Sequence, residues 1–181
     1  HHDELTDLIG RIQKSEDPVF DIIAGSPAEL IAFPENLSSE VTGRSFFAEL
    51  NAPCYRRRLQ RLHEAGKFVS IHIDGTLHGC LELLGDCGFD IAEAVTPAPV
   101  GDVEVDQLRA LAGEDITIWG GVPGAMFTPM FSDEQFDAHV KGVLEVFPPG
   151  SRFVLGVADQ VPPDGLSSRI KRVRELMEEL S

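Results

Sequence analysis

The residues best suited to chemistry lie in the stretch 68–75, Phe-Val-Ser-Ile-His-Ile-Asp-Gly. Side chains alternate along a strand, so Ser70, His72 and Asp74 share one side while Val69, Ile71 and Ile73 cover the other. An imidazole and a carboxylate two residues apart at a strand end can move a proton or hold a cation, although the spacing alone equally describes a hydrogen-bonded structural pair. The functional reading gains from other strand-like runs that also end on polar groups. Glu35 and Asn36 follow the first clear strand, and Glu93 lies near the end of the third. Asp159 and Gln160 close the last, with Asp159 in phase with Phe153, Leu155 and Val157.

If parallel strands bring these groups to one rim, an imidazole and several carboxylates are crowded together. They repel unless protonated, paired with a basic side chain or bridged by a cation. A divalent metal is the economical solution. His72, Asp74, Glu93 and Asp159 offer one nitrogen and three carboxylates, a set suited to Zn, Mn, Fe or Mg rather than to a soft thiophilic ion. Trp119 with Gly120-Gly121 reads as a floor, an aromatic wall beside two residues without side chains where a ligand can come close. Asn36, Trp119, Gly121 and Gln160 are therefore the expected substrate contacts. Glu35, His72 and Asp159 are the expected catalytic groups. Asp102 and Asp133 each begin or precede a helix, read as caps, and stay outside the site.

The elements that must position these residues follow from periodicity. Apolar residues at Leu5, Leu8, Ile9 and Ile12 predict a helix over 3–14 that Asp17-Pro18 ends. Residues 19–24 are short and apolar, a strand or a last turn. A strand over 29–33 leads through a Ser, Thr and Gly-rich loop into a long helix over 45–65 that Gly66 ends. Strands over 68–74, 89–95, 116–122 and 153–159 then alternate with helices over 77–87, 103–112, 133–147 and 166–180. That alternation implies a parallel sheet with crossover helices, apolar on both faces. Loops after the strands are long and rich in Gly and Pro, while those before them are short. In α/β folds chemistry gathers at the carboxyl ends of the strands.

With 181 residues and 43% apolar content the chain can bury a core, and a single domain over 1–181 is expected. The net charge of −15 is spread along the sequence, and such a surface repels phosphate backbones and anionic lipid. Nucleic acid and membrane are thus not expected partners. Nothing reads as a membrane span or signal peptide, so a cytoplasmic location is expected. His1 and His2 read as the stub of an expression tag. Arg56, Arg57, Arg58 and Arg61 fan out around their helix as a solvated face. Cys54, Cys80 and Cys87 lack a CxxC spacing and read as small buried hydrophobes.

Four segments together resemble the uroporphyrinogen decarboxylase (URO-D) superfamily, which also includes corrinoid-linked methyltransferases and is related to the C-terminal barrel of cobalamin-independent methionine synthase. They are Leu-His-Glu-Ala-Gly-Lys-Phe-Val-Ser-Ile-His-Ile-Asp-Gly at 62–75, Gly-Phe-Asp at 88–90, Ile-Trp-Gly-Gly-Val-Pro at 118–123 and Gly-Val-Ala-Asp-Gln-Val-Pro-Pro-Asp at 156–164. The resemblance implies a TIM (β/α)8 barrel, of which about five C-terminal βα units are present. The remainder would be an N-terminal portion or a second chain, as in a homodimer. In the family's zinc methyltransferases it implies a site of His-x-Cys, a Glu about twenty residues on and a distal Cys. Carried onto this sequence those positions are His72, Asp74, Glu93 and Asp159. Both cysteine positions are aspartate here, which suits a harder, more Lewis-acidic ion.

The resemblance therefore implies metal-assisted transfer of a methyl group to a corrinoid or similar acceptor, with a corrinoid protein as an expected partner. An alternative is decarboxylation of a tetrapyrrole, as in porphyrin biosynthesis, with Asp159 and His72 handling pyrrole nitrogens or a proton. A third reading, of another class, is a non-catalytic barrel fragment that acts as a binding or assembly partner.

Overall fold

The computed structural model describes residues 1–180. Five parallel strands form one sheet in the order of the chain: β1 (Leu30–Leu37), β2 (Phe68–Ile73), β3 (Ile91–Val95), β4 (Thr117–Pro123) and β5 (Phe153–Ala158). Sequential parallel neighbours joined by right-handed crossovers carry all their helices on one face, the arrangement of a barrel segment. The helices are α1 (His2–Ala24), α2 (Arg44–Phe46), α3 (Ala52–Glu64), α4 (Leu81–Cys87), α5 (Leu108–Ala112), α6 (Asp133–Val146) and α7 (Ser167–Glu179). None is long and apolar enough to cross a membrane.

The expected alternation holds on β2. Val69, Ile71 and Ile73 are wholly buried under the helices, where Phe33, Leu59, Leu62, Leu84 and Phe89 pack with them. The opposite face departs from the expectation that both faces are covered. Leu30, Phe68, Trp119 and Val154 are exposed there, Phe68 at 61%. Five strands do not curl far enough to close on themselves, so the face that is a barrel's interior lies open, and β1 and β5 end the sheet.

At the amino end, α1 runs straight through Pro18 instead of stopping before it. Proline removes one helical donor, but tertiary contacts hold the helix together. Arg58 Nη2 donates to the Gln13 carbonyl at 2.9 Å and to Glu16 at 3.0 Å, and its guanidinium lies 4.3 Å over the Phe20 ring. Arg57 reaches Asp17, and Arg61 pairs with Asp21. Arg57, Arg58 and Arg61 thus clamp α1 onto α3; Arg58 is buried, which departs from the expected solvated face, while Arg56, Arg57 and Arg61 are exposed as that reading has them.

The long second helix begins at Arg44 and widens into a π-helical segment, Phe47–Asn51, before α3. Pro53 has no N–H for the Glu49 carbonyl, which favours the wider turn there. The helix expected over 77–87 starts only at Leu81. Asp102 accepts from the Leu77 amide at 2.6 Å and the His78 amide at 3.3 Å, so residues 77–80 form a turn instead. Asp102 caps this turn across the sheet rather than the helix that follows it. Ser132, not Asp133, caps α6, through a capping box with Gln135.

Candidate functional site

His72 and Glu93 are paired across the β2–β3 ladder, and Asp74 lies just past the end of β2. His72 Nδ1 stands 2.5 Å from Glu93 Oε2, so Nδ1 carries the proton and donates it to the carboxylate. The other ring nitrogen, Nε2, is 3.8 Å from Asp74 Oδ2 and 3.8 Å from Asp159 Oδ1. Asp159, from the loop after β5, therefore comes to the same ring as Asp74 despite the 85 positions between them (159 − 74). The four residues expected to form a site converge on one imidazole.

The backbone here is held in unusual conformations. Asn36, Ala94 and Asp159, at the carboxyl ends of β1, β3 and β5, have φ of 46°, 66° and 65°. Asn and Asp enter this left-handed region readily, whereas Ala94 does so at a cost of about 1 to 3 kcal/mol. Ala94 sits where the β3–β4 register shifts, directly after Glu93, and Thr96 closes the turn by donating to the Ala94 carbonyl at 3.0 Å. The β1–β2 register also shifts, between Phe33 and Leu37. Bulges of this kind re-aim side chains beside functional sites.

A cavity of about 450 Å³ opens at this rim, with Asp74, Gly75, Thr96, Ala125, Asp159 and Gln160 in its walls. Gln160 is fixed by close backbone packing: a Cβ on Gly124 would lie 2.2 Å from the Gln160 carbonyl oxygen. The loop after β4 is anchored by the buried Arg169, which donates to the carbonyls of Met126, Thr128 and Phe131, each at 2.6 Å, and pairs with Asp133.

The other expected contacts sit elsewhere. Trp119 and Gly121 do not line this cavity. Trp119 stands on the open face beside Gly156, where a Cβ would meet its indole nitrogen at 2.9 Å. The Gly121 carbonyl accepts a hydrogen bond from His139 Nε2 at 2.7 Å, on the helix side. Burial pushes the His139 imidazole toward its neutral form, partly offset by that hydrogen bond. Glu35 accepts from the Tyr55 hydroxyl, and Tyr55 is raised above its usual range first by burial and then by this carboxylate. Asn36 is exposed at the end of β1.

Sequence reasoning passed over Tyr55 and Thr96 and read Asp102 as a cap of its own helix, whereas all three make contacts near the rim that only folding brings about. The aspartate of the Gly-Phe-Asp motif proves structural: Asp90 Oδ2 takes the Val69 amide at 2.7 Å and His63 Nε2 at 3.0 Å, at the amino ends of the strands. Cys54, Cys80 and Cys87 are buried free thiols, each raised by desolvation.

Whether these residues suit a metal depends on Nε2 and its two carboxylate neighbours. At 3.8 Å they are too far apart to hydrogen-bond, yet they offer the nitrogen and oxygen donors that Zn and harder divalent ions take. Among the described residues no three His, Cys, Asp or Glu side chains are drawn into a closed metal-binding group. The donor chemistry fits, and closure needs Asp74 and Asp159 to move inward. Glu93 occupies the other ring nitrogen, where a carboxylate fixes the tautomer and orientation of a ligating histidine.

The profile of a family described as uroporphyrinogen decarboxylase (URO-D) matches residues 4–180. Among solved structures the chain is similar to a methyltransferase from Methanosarcina mazei, with a TM-score of 0.65 and 18% sequence identity over 88% of this chain and 44% of that one. That likeness is one of fold, and the chain spans less than half of that protein's length. No curated protein matches.

Proposed function

Since the chain belongs to the uroporphyrinogen decarboxylase family, we propose that it works as the C-terminal part of a metal-assisted methyltransferase, delivering a one-carbon group to a corrinoid or similar acceptor. The observation that carries this reading is the Nε2 of His72 facing Asp74 and Asp159 while Glu93 holds the opposite ring nitrogen. His72, Asp74 and Asp159 would hold a divalent ion, with Glu93 as support or fourth donor. When bound, the ion would act as a Lewis acid toward the oxygen or nitrogen that carries the methyl group. Glu93 keeps the imidazole oriented, and Gln160 offers amide donors and an acceptor for a substrate.

The family description favours a second reading, decarboxylation of a tetrapyrrole. Against it, the cavity presents carboxylates and no Lys or Arg to a polycarboxylate substrate. Two measurements test the proposal. Elemental analysis of the purified protein, before and after incubation with zinc, should find a bound divalent ion that Asp74→Ala removes. Incubation with a methyl donor and a free corrinoid should change the corrinoid absorbance. A wild-type protein that holds no divalent ion after zinc loading would remove the proposal's foundation.

A further inference from the structure

The bulge that follows Glu93 is held by groups from outside its own strand. Ala92 lies opposite Ile118 and Val95 opposite Gly120, so one more residue of β3 than of β4 fills the interval. Glu93 is the last residue of β3 in register with β2, opposite His72, and the chain turns away directly after it through Ala94, with φ of 66°. Ala94 and Val95 are wholly buried. An alanine in the left-handed region persists where its surroundings over-determine it. Two glycines press on the turn: a Cβ on Gly120 would stand 2.5 Å from the Val95 carbonyl oxygen, and one on Gly101 would overlap the carbonyl oxygen of Thr96. The third hold is directional. The Thr96 side chain, buried in the cavity wall, donates its hydroxyl proton to the Ala94 carbonyl at 3.0 Å and so fixes the plane of the peptide after Ala94.

We infer that Thr96 is a positioning residue of this site: its hydroxyl locks the bulge that aims Glu93 at His72, and through Glu93 it decides which ring nitrogen stays free. Glu93 takes the Nδ1 proton at 2.5 Å, a charge-assisted bond short enough to leave the carboxylate little room to drift. Nε2 is thereby left to Asp74 and Asp159, each at 3.8 Å. With the peptide after Ala94 released, Ala94 relaxes toward an ordinary negative φ, and that rotation carries Glu93 out of line with His72. The effect on a metal rests on the proposed role of His72 Nε2; the contacts that run from Thr96 to Nδ1 stand without one.

Glycine separates positioning from general support, because at φ of 66° it bears no steric penalty and holds the turn without help. The readout is the His72 ring in the full chain without added metal, at mildly alkaline pH: the downfield Nδ1 proton, assigned by its loss in His72→Gln, and the ring nitrogen shifts that report the tautomer. Thr96→Val keeps the side-chain shape and removes the hydroxyl; it should lose the Nδ1 proton signal and let the two tautomers exchange. Its zinc affinity should fall by about tenfold, the lower end of the loss expected for a supporting partner. Thr96→Ser keeps the hydroxyl and should keep both signal and affinity, and Ala94→Gly added to Thr96→Val should restore both. A signal unchanged in Thr96→Val overturns the inference, as does a Thr96→Ser variant as impaired as Thr96→Val. Should Thr96→Val alone fail to fold, the double variant decides: folded with the signal it upholds the inference, and folded without the signal, or unfolded, it overturns it. The two proposals fail separately. A protein whose Nδ1 signal depends on Thr96 but which holds no zinc loses the metal-assisted reading and keeps this one, and zinc binding with a signal indifferent to Thr96 does the reverse.

Discussion

Replacing Glu93 tests how the site is built, because a ligand and a supporting residue differ in the size of their effect. Glu93 touches His72 Nδ1 at 2.5 Å, while both aspartates face Nε2 at 3.8 Å. If the ion is held on the Nε2 side, Glu93 acts through the imidazole. Loss of such a supporting partner lowers metal affinity by about 10 to 100-fold, which is about 1.4 to 2.7 kcal/mol. Glu93→Ala should fall in that range. Glu93→Gln should lose less, since the amide oxygen still accepts from Nδ1 and only the charge is gone. Asp74→Ala and Asp159→Ala, which remove donors outright, should cost more than either. The assay is competition for zinc with a chromophoric chelator, with circular dichroism confirming that each variant is folded. Zinc affinity unchanged in Glu93→Ala would refute the relay through His72. A loss as large as that of Asp74→Ala would show Glu93 to be a ligand.

Arg58→Ala should destabilise the protein by about 2 to 3 kcal/mol, from charge-assisted hydrogen bonds partly screened by solvent and a lost contact with Phe20. Urea unfolding measures it, and a change below about 0.5 kcal/mol would show that α1 does not depend on the clamp. Asp102→Ala strips the acceptor from the Leu77 and His78 amides and should cost about 1 to 2 kcal/mol. Hydrogen exchange at Leu77 should accelerate, and unchanged protection would mean that another group holds the turn. His139 is held toward neutral in the folded chain, so the unfolded chain binds more protons as the pH falls. Its contribution to stability is present above the unfolded imidazole pKa and is lost as the pH falls through that value toward the depressed folded one. His139→Asn should therefore flatten the stability profile below about pH 6.5, and a difference between wild type and variant that does not vary with pH would contradict the assignment.

Much of this protein was legible before folding was considered. Period-two alternation in residues 68–74 assigns Val69, Ile71 and Ile73 to the helices and His72 to the other face, and alternating element types imply a parallel sheet. Both follow because side-chain direction is a local property of the backbone. The convergence of His72, Asp74, Glu93 and Asp159 was also within reach, since parallel strands deliver their carboxyl ends to one rim. Other features depend on partners distant in the chain. Pro18 stays within a helix whose preceding turn is gripped by Arg58, 40 positions away (58 − 18). Glu35 has Tyr55 for a partner, Gly121 turns its carbonyl to His139, and Asp102 ties down Leu77. Local sequence sets which residues are able to face the rim. Packing between elements settles which nitrogen of His72 is taken by Glu93 and which is left to the aspartates, because that choice rests on distances that exist only once the strands lie side by side.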